Sequence, residues 1–154
     1  MATLSNKNVN IEIVEPFLYA DGSIVKDFAE FSMSDSWTVS SNMTRAKELI
    51  ENEYAIYGNP IDFFKNSKTY IYDVLGAHWN LAGPIHKIEK FIPGVMKCIK
   101  NHPGKRFLEF GGGIGDICQL IYLKCDKIVT YLDIESYLAE FARWRFAKYS
   151  LPIE

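Results

Sequence analysis

The sequence predicts an α/β protein whose parallel sheet begins late in the chain, after a mainly helical amino-terminal region that opens with a small β element. Three observations lead to this prediction. A short strand runs directly into the glycine-rich stretch 111–115, an amphipathic helical pattern follows it, and a second strand then ends at Asp133. Strands joined by a helix in this way pair in parallel. The predicted units are a β element and linker (1–40), a helical cap (41–103) and an incomplete sheet domain (104–154).

Composition favours one globular core and excludes several classes of protein. Of the 154 residues, 48% are apolar and 23% are charged, which is too hydrophobic for a disordered chain. The net charge of −2 does not supply the basic field that nucleic-acid binding requires. The sequence has no signal-peptide layout and no run approaching the roughly 18 apolar residues of a membrane span. We therefore expect a soluble, unprocessed protein with neither a nucleic-acid nor a membrane partner.

The cysteines argue against both a disulfide framework and a zinc site. Cys98, Cys118 and Cys125 are odd in number and show no C-x-x-C or Cys/His spacing. We expect no metal, a reducing cytoplasmic location, and packing roles for Cys118 and Cys125.

The amino-terminal forty residues carry strand and turn patterns. Val9, Ile11 and Ile13 alternate with polar residues, which is the period of a half-buried strand. Asp21-Gly22 lies between the apolar runs 17–20 and 24–25 and predicts a hairpin turn. The serine-rich stretch 32–41 is expected to be a linker.

Helical periodicity dominates the next sixty residues. Apolar residues recur at spacings of three and four over 43–57, and Gly58 supplies a stop signal. A second helix is predicted over about 61–75. A third is predicted to begin at Pro84, a residue favoured in the first helical turn, and to break at Pro93-Gly94.

The last third of the chain changes character. The run 106–110 predicts a strand that leads into the glycines, and Asp116 is expected to cap the following helix, with Gln119 in the capping-box position. A second strand is predicted over 127–132 and a second helix over 134–149.

A glycine cluster between a strand and a helix is a candidate ligand site. Glycine lets the backbone approach a ligand closely, and the helix start offers free N–H groups. Asp133 lies 22 residues beyond Gly111, at the end of the second strand, where a carboxylate can accept hydrogen bonds from ribose hydroxyls. The plain structural alternatives are a tight turn for the glycines and a helix cap for Asp133.

The spacing of the glycines discriminates between nucleotide ligands. A dinucleotide fingerprint that starts at Gly111 needs a third glycine at position 116, where this chain has an aspartate. The pattern present is acid-x-G-x-G-x-G, formed by Glu109, Gly111, Gly113 and Gly115. It resembles the glycine motif of class I S-adenosylmethionine-dependent methyltransferases. Asp133 and the run 140–146 also resemble the acid and the second helix of that family, so the resemblance covers about residues 104–154.

The resemblance implies a Rossmann-like sheet of the methyltransferase type, truncated here after its second helix, and the cofactor S-adenosyl-L-methionine. It implies that the turn holds the methionine end of the cofactor, that Glu109 orients its amino group, that Asp133 holds the ribose, and that Ile134 faces the adenine. The turn glycines are Gly111, Gly112, Gly113 and Gly115. Methyl transfer then proceeds by orientation of the acceptor, and neither the acceptor nor a catalytic residue is identified.

Several alternatives stay open. Tyr72, His78 and Trp79 precede the motif and could line the site, although core or surface roles are favoured for all three. A nicotinamide- or flavin-dependent oxidoreductase fragment is one alternative function. A non-catalytic interaction module is another, because open strand edges favour self-association or pairing with a partner chain.

Overall fold

A computed structural model describes residues 23–82 and 91–153. These residues form eight helices and one two-stranded parallel sheet, so the protein is α/β and mostly helical. The helices are α1 (Ser23–Phe31), α2 (Ser36–Thr44), α3 (Ala46–Tyr57), α4 (Pro60–Asn66), α5 (Tyr70–Ala82), α6 (Phe91–Asn101), α7 (Asp116–Cys125) and α8 (Tyr137–Lys148), and the strands are β1 (Arg106–Phe110) and β2 (Ile128–Leu132). Within the described ranges, no helix is both long and apolar enough to cross a bilayer.

The first described element corrects the predicted hairpin. The run 24–25 belongs to α1 and is not a strand. Its apolar residues continue at helical spacing, which places one buried face on the helix. The buried apolar residues are Ile24, Val25, Phe28 and Ala29. The other predicted parts of the β element, 9–13 and 17–22, lie outside the described residues.

The predicted serine-rich linker is also wrong over most of its length, because it forms α2. Asp35 caps this helix by accepting a hydrogen bond from the Thr38 backbone N–H at 2.9 Å. Serine and threonine are tolerated here because the hydroxyl groups of Ser40 and Thr44 donate to carbonyl oxygens within the helix.

The predicted helix over 43–57 is confirmed from Ala46 onward as α3, whereas 43–44 belong to α2. Gly58 ends α3 in the left-handed conformation of a helix end, with φ of 69°. The predicted single helix over 61–75 is wrong, because the chain breaks between α4 and α5. The Glu53 carboxylate accepts hydrogen bonds from the Ser67 hydroxyl and from the backbone N–H groups of Lys68 and Thr69. These bonds hold a sharp corner that a continuous helix does not allow.

Helix α6 runs through the predicted break at Pro93-Gly94. Pro93 is the third residue of the helix, where the N–H that proline lacks has no intrahelical partner in any case. The predicted start at Pro84 lies outside the described residues.

The two predicted strands are confirmed, with β2 starting one residue later than expected. They pair in parallel, with Arg106 opposite Ile128 and Phe110 opposite Leu132. Helix α8 starts at Tyr137, later than predicted, and Ser136 caps it by accepting from the Ala139 N–H at 3.3 Å.

The predicted cap of α7 is wrong. Gly115 occupies the N-cap position and Asp116 is the first helical residue. The Asp116 carboxylate instead accepts a hydrogen bond from Arg145 at 2.8 Å. Gln119, expected in the capping box, is fully buried, and among the described residues its side-chain amide has no hydrogen-bond partner.

Helix α8 joins two hydrophobic cores. One face of it packs with α7 and β2, through Ala142 and Phe146. Another face contributes Phe141 to the core of α1, α2 and α5, where its ring meets that of Phe28 edge-on at 5.2 Å. Cys118 and Cys125 are buried in the first core, which confirms their packing roles. Because α8 belongs to both cores, the helical cap is fixed against the sheet.

A buried ion network reinforces this junction. Arg145 is fully buried, and its Nε lies 3.7 Å from the Asp27 carboxylate of α1. Lys148 Nζ and the Tyr149 hydroxyl each donate to Asp27 at 2.8 Å. Removing one partner of such a network leaves a buried charge uncompensated, so we expect each member to be needed for docking of α1.

Candidate functional site

The glycine loop 111–115 connects the carboxyl end of β1 to α7. Gly111, Gly113 and Gly115 have φ values of 71°, 53° and 75°, in the left-handed region that favours glycine. The Gly111 N–H donates to the Leu132 carbonyl at 2.7 Å. The loop is therefore bound directly to the end of β2.

Asp133 lies against this loop. Its Oδ2 accepts a hydrogen bond from the Gly113 N–H at 2.6 Å, and its Oδ1 accepts one from the Ile134 N–H at 2.7 Å. An ionised carboxylate has about four acceptor sites, so both oxygens keep capacity for further donors. The structure thus brings together the loop and the acid that the sequence paired by spacing.

Tyr131 is part of the site and was missed by sequence reasoning. Its hydroxyl donates to the Gly113 carbonyl at 2.6 Å, so this side chain and Asp133 hold the two sides of one loop residue. Its ring lies under Gly112, where an added Cβ would come within 2.6 Å of it. Burial raises the pKa of Tyr131, which keeps the phenol protonated as a donor. The sequence signal that could have found Tyr131 is the alternation of side chains along β2. It places Tyr131 and Val129 on the same face of the sheet, and both are buried.

Glu109 is placed behind the loop, at the start of α7. Its Oε2 accepts a hydrogen bond from the Cys118 N–H, in the first turn of that helix, at 3.0 Å. Burial raises the pKa of Glu109, the bond from Cys118 opposes this, and the charges of Asp116 and Asp133 raise it further. A positively charged ligand group beside Glu109 would offset both the burial and the repulsion.

The electrostatics of the site favour a cationic group over an anionic one. Glu109 and Asp133 flank the loop, and Asp116 lies at its end, paired with Arg145. The helix start, which in other proteins attracts phosphates, is here occupied by the Glu109 carboxylate. A pyrophosphate would meet these carboxylates, whereas an ammonium or sulfonium group would be attracted by them.

The remaining predicted loop residues differ in surroundings. At Gly115, an added Cβ would lie 2.4 Å from the Phe146 ring, so this glycine is required by packing. At Gly111 and Gly113 the same position is open within 4 Å, which leaves room for a ligand. Ile134 is 47% exposed, directly after Asp133.

Of the three predicted cap residues, the structure describes only the side chain of Tyr72. Tyr72 packs edge-on against Phe28, with ring centroids 5.7 Å apart, and belongs to the second core. His78 and Trp79 lie on α5, and their side chains are outside the described part of the chain.

A different part of the cap reaches towards the site. The corner between α4 and α5 places Lys68 Nζ 5.8 Å from the centroid of the Tyr137 ring. Burial raises the pKa of Tyr70, and the charges of Asp73 and Asp133 raise it further. The corner therefore lies close to Tyr137 and within electrostatic range of Asp133.

Comparisons with family models, with curated proteins and with solved structures find no match to this chain. Among the described residues, no group of three or more His, Cys, Asp or Glu side chains is arranged to hold a metal ion.

Proposed function

We propose that this chain binds S-adenosyl-L-methionine and forms the cofactor-binding part of a methyltransferase with a Rossmann-like sheet. The observation that carries the proposal is the hydrogen bond between Asp133 and the Gly113 N–H, which joins the end of β2 to the glycine loop. This contact sets an acceptor for ribose beside a loop open enough for close backbone approach.

The ribose would be held by Asp133. Its two backbone hydrogen bonds fix the carboxylate, and the acceptor sites left on Oδ1 and Oδ2 suit the two vicinal hydroxyls of a ribose. Because the carboxylate is already oriented, little side-chain entropy would be lost on binding. Ile134, exposed beside it, offers an apolar surface for the adenine.

The methionine end would lie over the loop, towards Glu109. Its ammonium and sulfonium groups are positive, and Glu109, Asp116 and Asp133 are the carboxylates nearest to the loop. Burial and the charges of Asp116 and Asp133 raise the pKa of Glu109, and a positive group beside it would lower that pKa. A dinucleotide would place a pyrophosphate at the same point, against carboxylates. This contrast is why we prefer S-adenosylmethionine to a nicotinamide or flavin cofactor.

Bound S-adenosylmethionine supplies an already activated methyl group. The residues of this chain would hold and orient the cofactor, and catalysis would come from placing an acceptor in line with that methyl group. The acceptor and any catalytic base remain unassigned.

Isothermal titration of the purified chain with S-adenosylhomocysteine, with NAD in parallel, tests the proposal. We expect saturable binding of S-adenosylhomocysteine, no heat with NAD, and loss of binding in Asp133→Ala. Glu51→Ala is the matched control, because Glu51 is an exposed acid on α3, far along the chain from the loop. Preferential binding of NAD would favour the oxidoreductase alternative instead.

A further inference from the structure

The glycine loop is held from two sides. On the sheet side, Gly113 is bound by Tyr131 in β2 and by Asp133 directly after it. The next loop residue, Ile114, is bound by the helices instead. Its side chain is buried in the core that α1, α2 and α5 form with α8. A single step of the chain, from Gly113 to Ile114, therefore connects the sheet to the amino-terminal helices.

Arg145 of α8 binds the backbone of the same loop residue. Its Nη1 donates to the Ile114 carbonyl at 3.0 Å and to the Asp116 carboxylate at 2.8 Å. The guanidinium is fully buried and lies over the Phe141 ring, 5.4 Å from the ring centroid. Because the donors of a guanidinium form a rigid planar fork, these contacts fix the end of the loop relative to α8.

A third contact of Arg145 reaches α1. Its Nε lies 3.7 Å from the Asp27 carboxylate, which also accepts hydrogen bonds from Lys148 and Tyr149 at 2.8 Å. Asp27 is buried, and interactions between buried charges are only weakly screened. A change at Asp27 is therefore transmitted to the Ile114 carbonyl through one side chain.

Stability alone does not account for a buried arginine at this place. The desolvation cost of a buried ion pair can exceed its attraction, and apolar side chains of similar volume are often as stable there. An apolar side chain cannot, however, donate to the Ile114 carbonyl while it faces Asp27 of α1 and Asp116 of α7. The contacts that only an arginine makes here are those that set the relative positions of the loop, α7 and α1.

We propose that Arg145 and Ile114 are positioning residues, which couple the docking of α1 to the geometry of the glycine loop and so to cofactor affinity. Only the effect on affinity rests on the proposed function. Because the Gly113 N–H is held by Asp133, a displacement of Ile114 would change the loop surface that the methionine end of the cofactor would cover. Such coupling is reciprocal, so a ligand that fixes the loop would also stabilise the docking of α1.

NMR spectra of the ligand-free protein test the coupling itself. Asp27→Asn removes the α1 charge that faces Arg145. It should shift the carbonyl resonance of Ile114 and the amide resonance of Gly115, because both atoms belong to the peptide group that accepts from Arg145. Glu30→Gln is the matched control, since Glu30 is an exposed acid on the same helix that pairs with Lys148 at 2.6 Å. It should leave both resonances in place.

Arg145→Lys is a second variant, which keeps the test decisive if loss of the Asp27 charge prevents folding. It retains a cation between Asp27 and Asp116, but an ammonium lacks the planar fork that binds three partners at once. The same two resonances should shift. Far-UV circular dichroism establishes that each variant is folded.

Isothermal titration with S-adenosylhomocysteine measures the consequence for the site. We expect Asp27→Asn and Arg145→Lys to bind about tenfold more weakly than the wild-type protein, which is within the usual range of coupling between two sites. Glu30→Gln should keep the wild-type affinity.

Three results would overturn the proposal: unchanged Ile114 and Gly115 resonances in the folded variants, equal shifts in Glu30→Gln, or shifted resonances with unchanged affinity. A wild-type chain that binds no S-adenosylhomocysteine would instead refute the proposed function. The ligand-free spectra would then still decide whether α1 acts on the loop, so the two failures are distinguishable.

Discussion

Replacing Gly115 with alanine separates two reasons why a loop position can require glycine. One is a left-handed backbone conformation, and the other is a lack of space for a side chain. Gly113 and Gly115 both have left-handed backbone conformations, with φ of 53° and 75°. An alanine in this region costs about 1–2 kcal/mol at either position. Only at Gly115 does the added methyl group also collide, since it would lie 2.4 Å from the Phe146 ring and 3.3 Å from the Ala142 Cβ.

The collision sets the expected difference between the two variants. Phe146 is buried in the first core, so its ring can move only at the expense of neighbouring contacts, and overpacking of this kind costs about 1–3 kcal/mol. Gly113→Ala should therefore lose about 1–2 kcal/mol and Gly115→Ala about 2–5 kcal/mol of the free energy of unfolding.

Urea unfolding followed by circular dichroism measures both losses. With a slope of about 2 kcal/mol per molar urea, the extra loss lowers the midpoint of Gly115→Ala by about 0.5–1.5 M below that of Gly113→Ala. Phe146→Leu in the Gly115→Ala background should recover part of it, which a double-mutant cycle detects as coupling. Equal midpoints for the two alanine variants, or additive effects in the cycle, would refute the packing argument.

Three further predictions concern single side chains. Glu53→Gln should lose about 1–2 kcal/mol of unfolding free energy at neutral pH, because hydrogen bonds to a charged acceptor are lost. Burial raises the pKa of Glu53, but its hydrogen bonds outweigh burial and lower the pKa below the ordinary 4.5. The stability advantage of the wild-type protein should therefore disappear as the pH falls through that lowered pKa, and a constant difference down to pH 2 would contradict this. Tyr131→Phe leaves the Gly113 carbonyl without its donor and should weaken S-adenosylhomocysteine binding several-fold with about 1 kcal/mol of lost stability, as titration and urea unfolding measure; unchanged affinity would remove Tyr131 from the site. The affinity of the wild-type protein for S-adenosylhomocysteine should fall as the pH falls through the raised pKa of Glu109, and Glu109→Gln should flatten this dependence; an identical pH profile in both would exclude Glu109 as the partner of the amino group.

The sheet half of the fold was predictable because its signals are local. A strand, a glycine run and a helix follow one another without a gap, and parallel pairing of β1 and β2 follows from the crossover. The contact of Asp133 with Gly113 also follows, because the carboxyl ends of neighbouring parallel strands meet at one edge.

Most of the errors in the sequence prediction have long-range causes. The break between α4 and α5 depends on Glu53, which lies 14 to 16 residues away from its partners. The role of Asp116 depends on Arg145, 29 residues further along the chain. Helix α1 was not predicted because the run 24–25 is too short to show a period, whereas Phe28 and Ala29 complete a helical face with it. Tyr131 was missed because its hydrogen bond exists only once the loop has folded over β2.

Amide chemical-shift mapping tests the central claim most directly, since a chain of 17.7 kDa is suited to two-dimensional NMR. Addition of S-adenosylhomocysteine to labelled protein should shift the amide resonances of the glycine loop 111–115 and of Ile134 most strongly, because Gly113 and Ile134 donate to the carboxylate that would take the ribose. The same resonances should stay in place when NAD is added. A folded chain whose loop resonances do not respond to S-adenosylhomocysteine, or respond to NAD instead, would contradict the account.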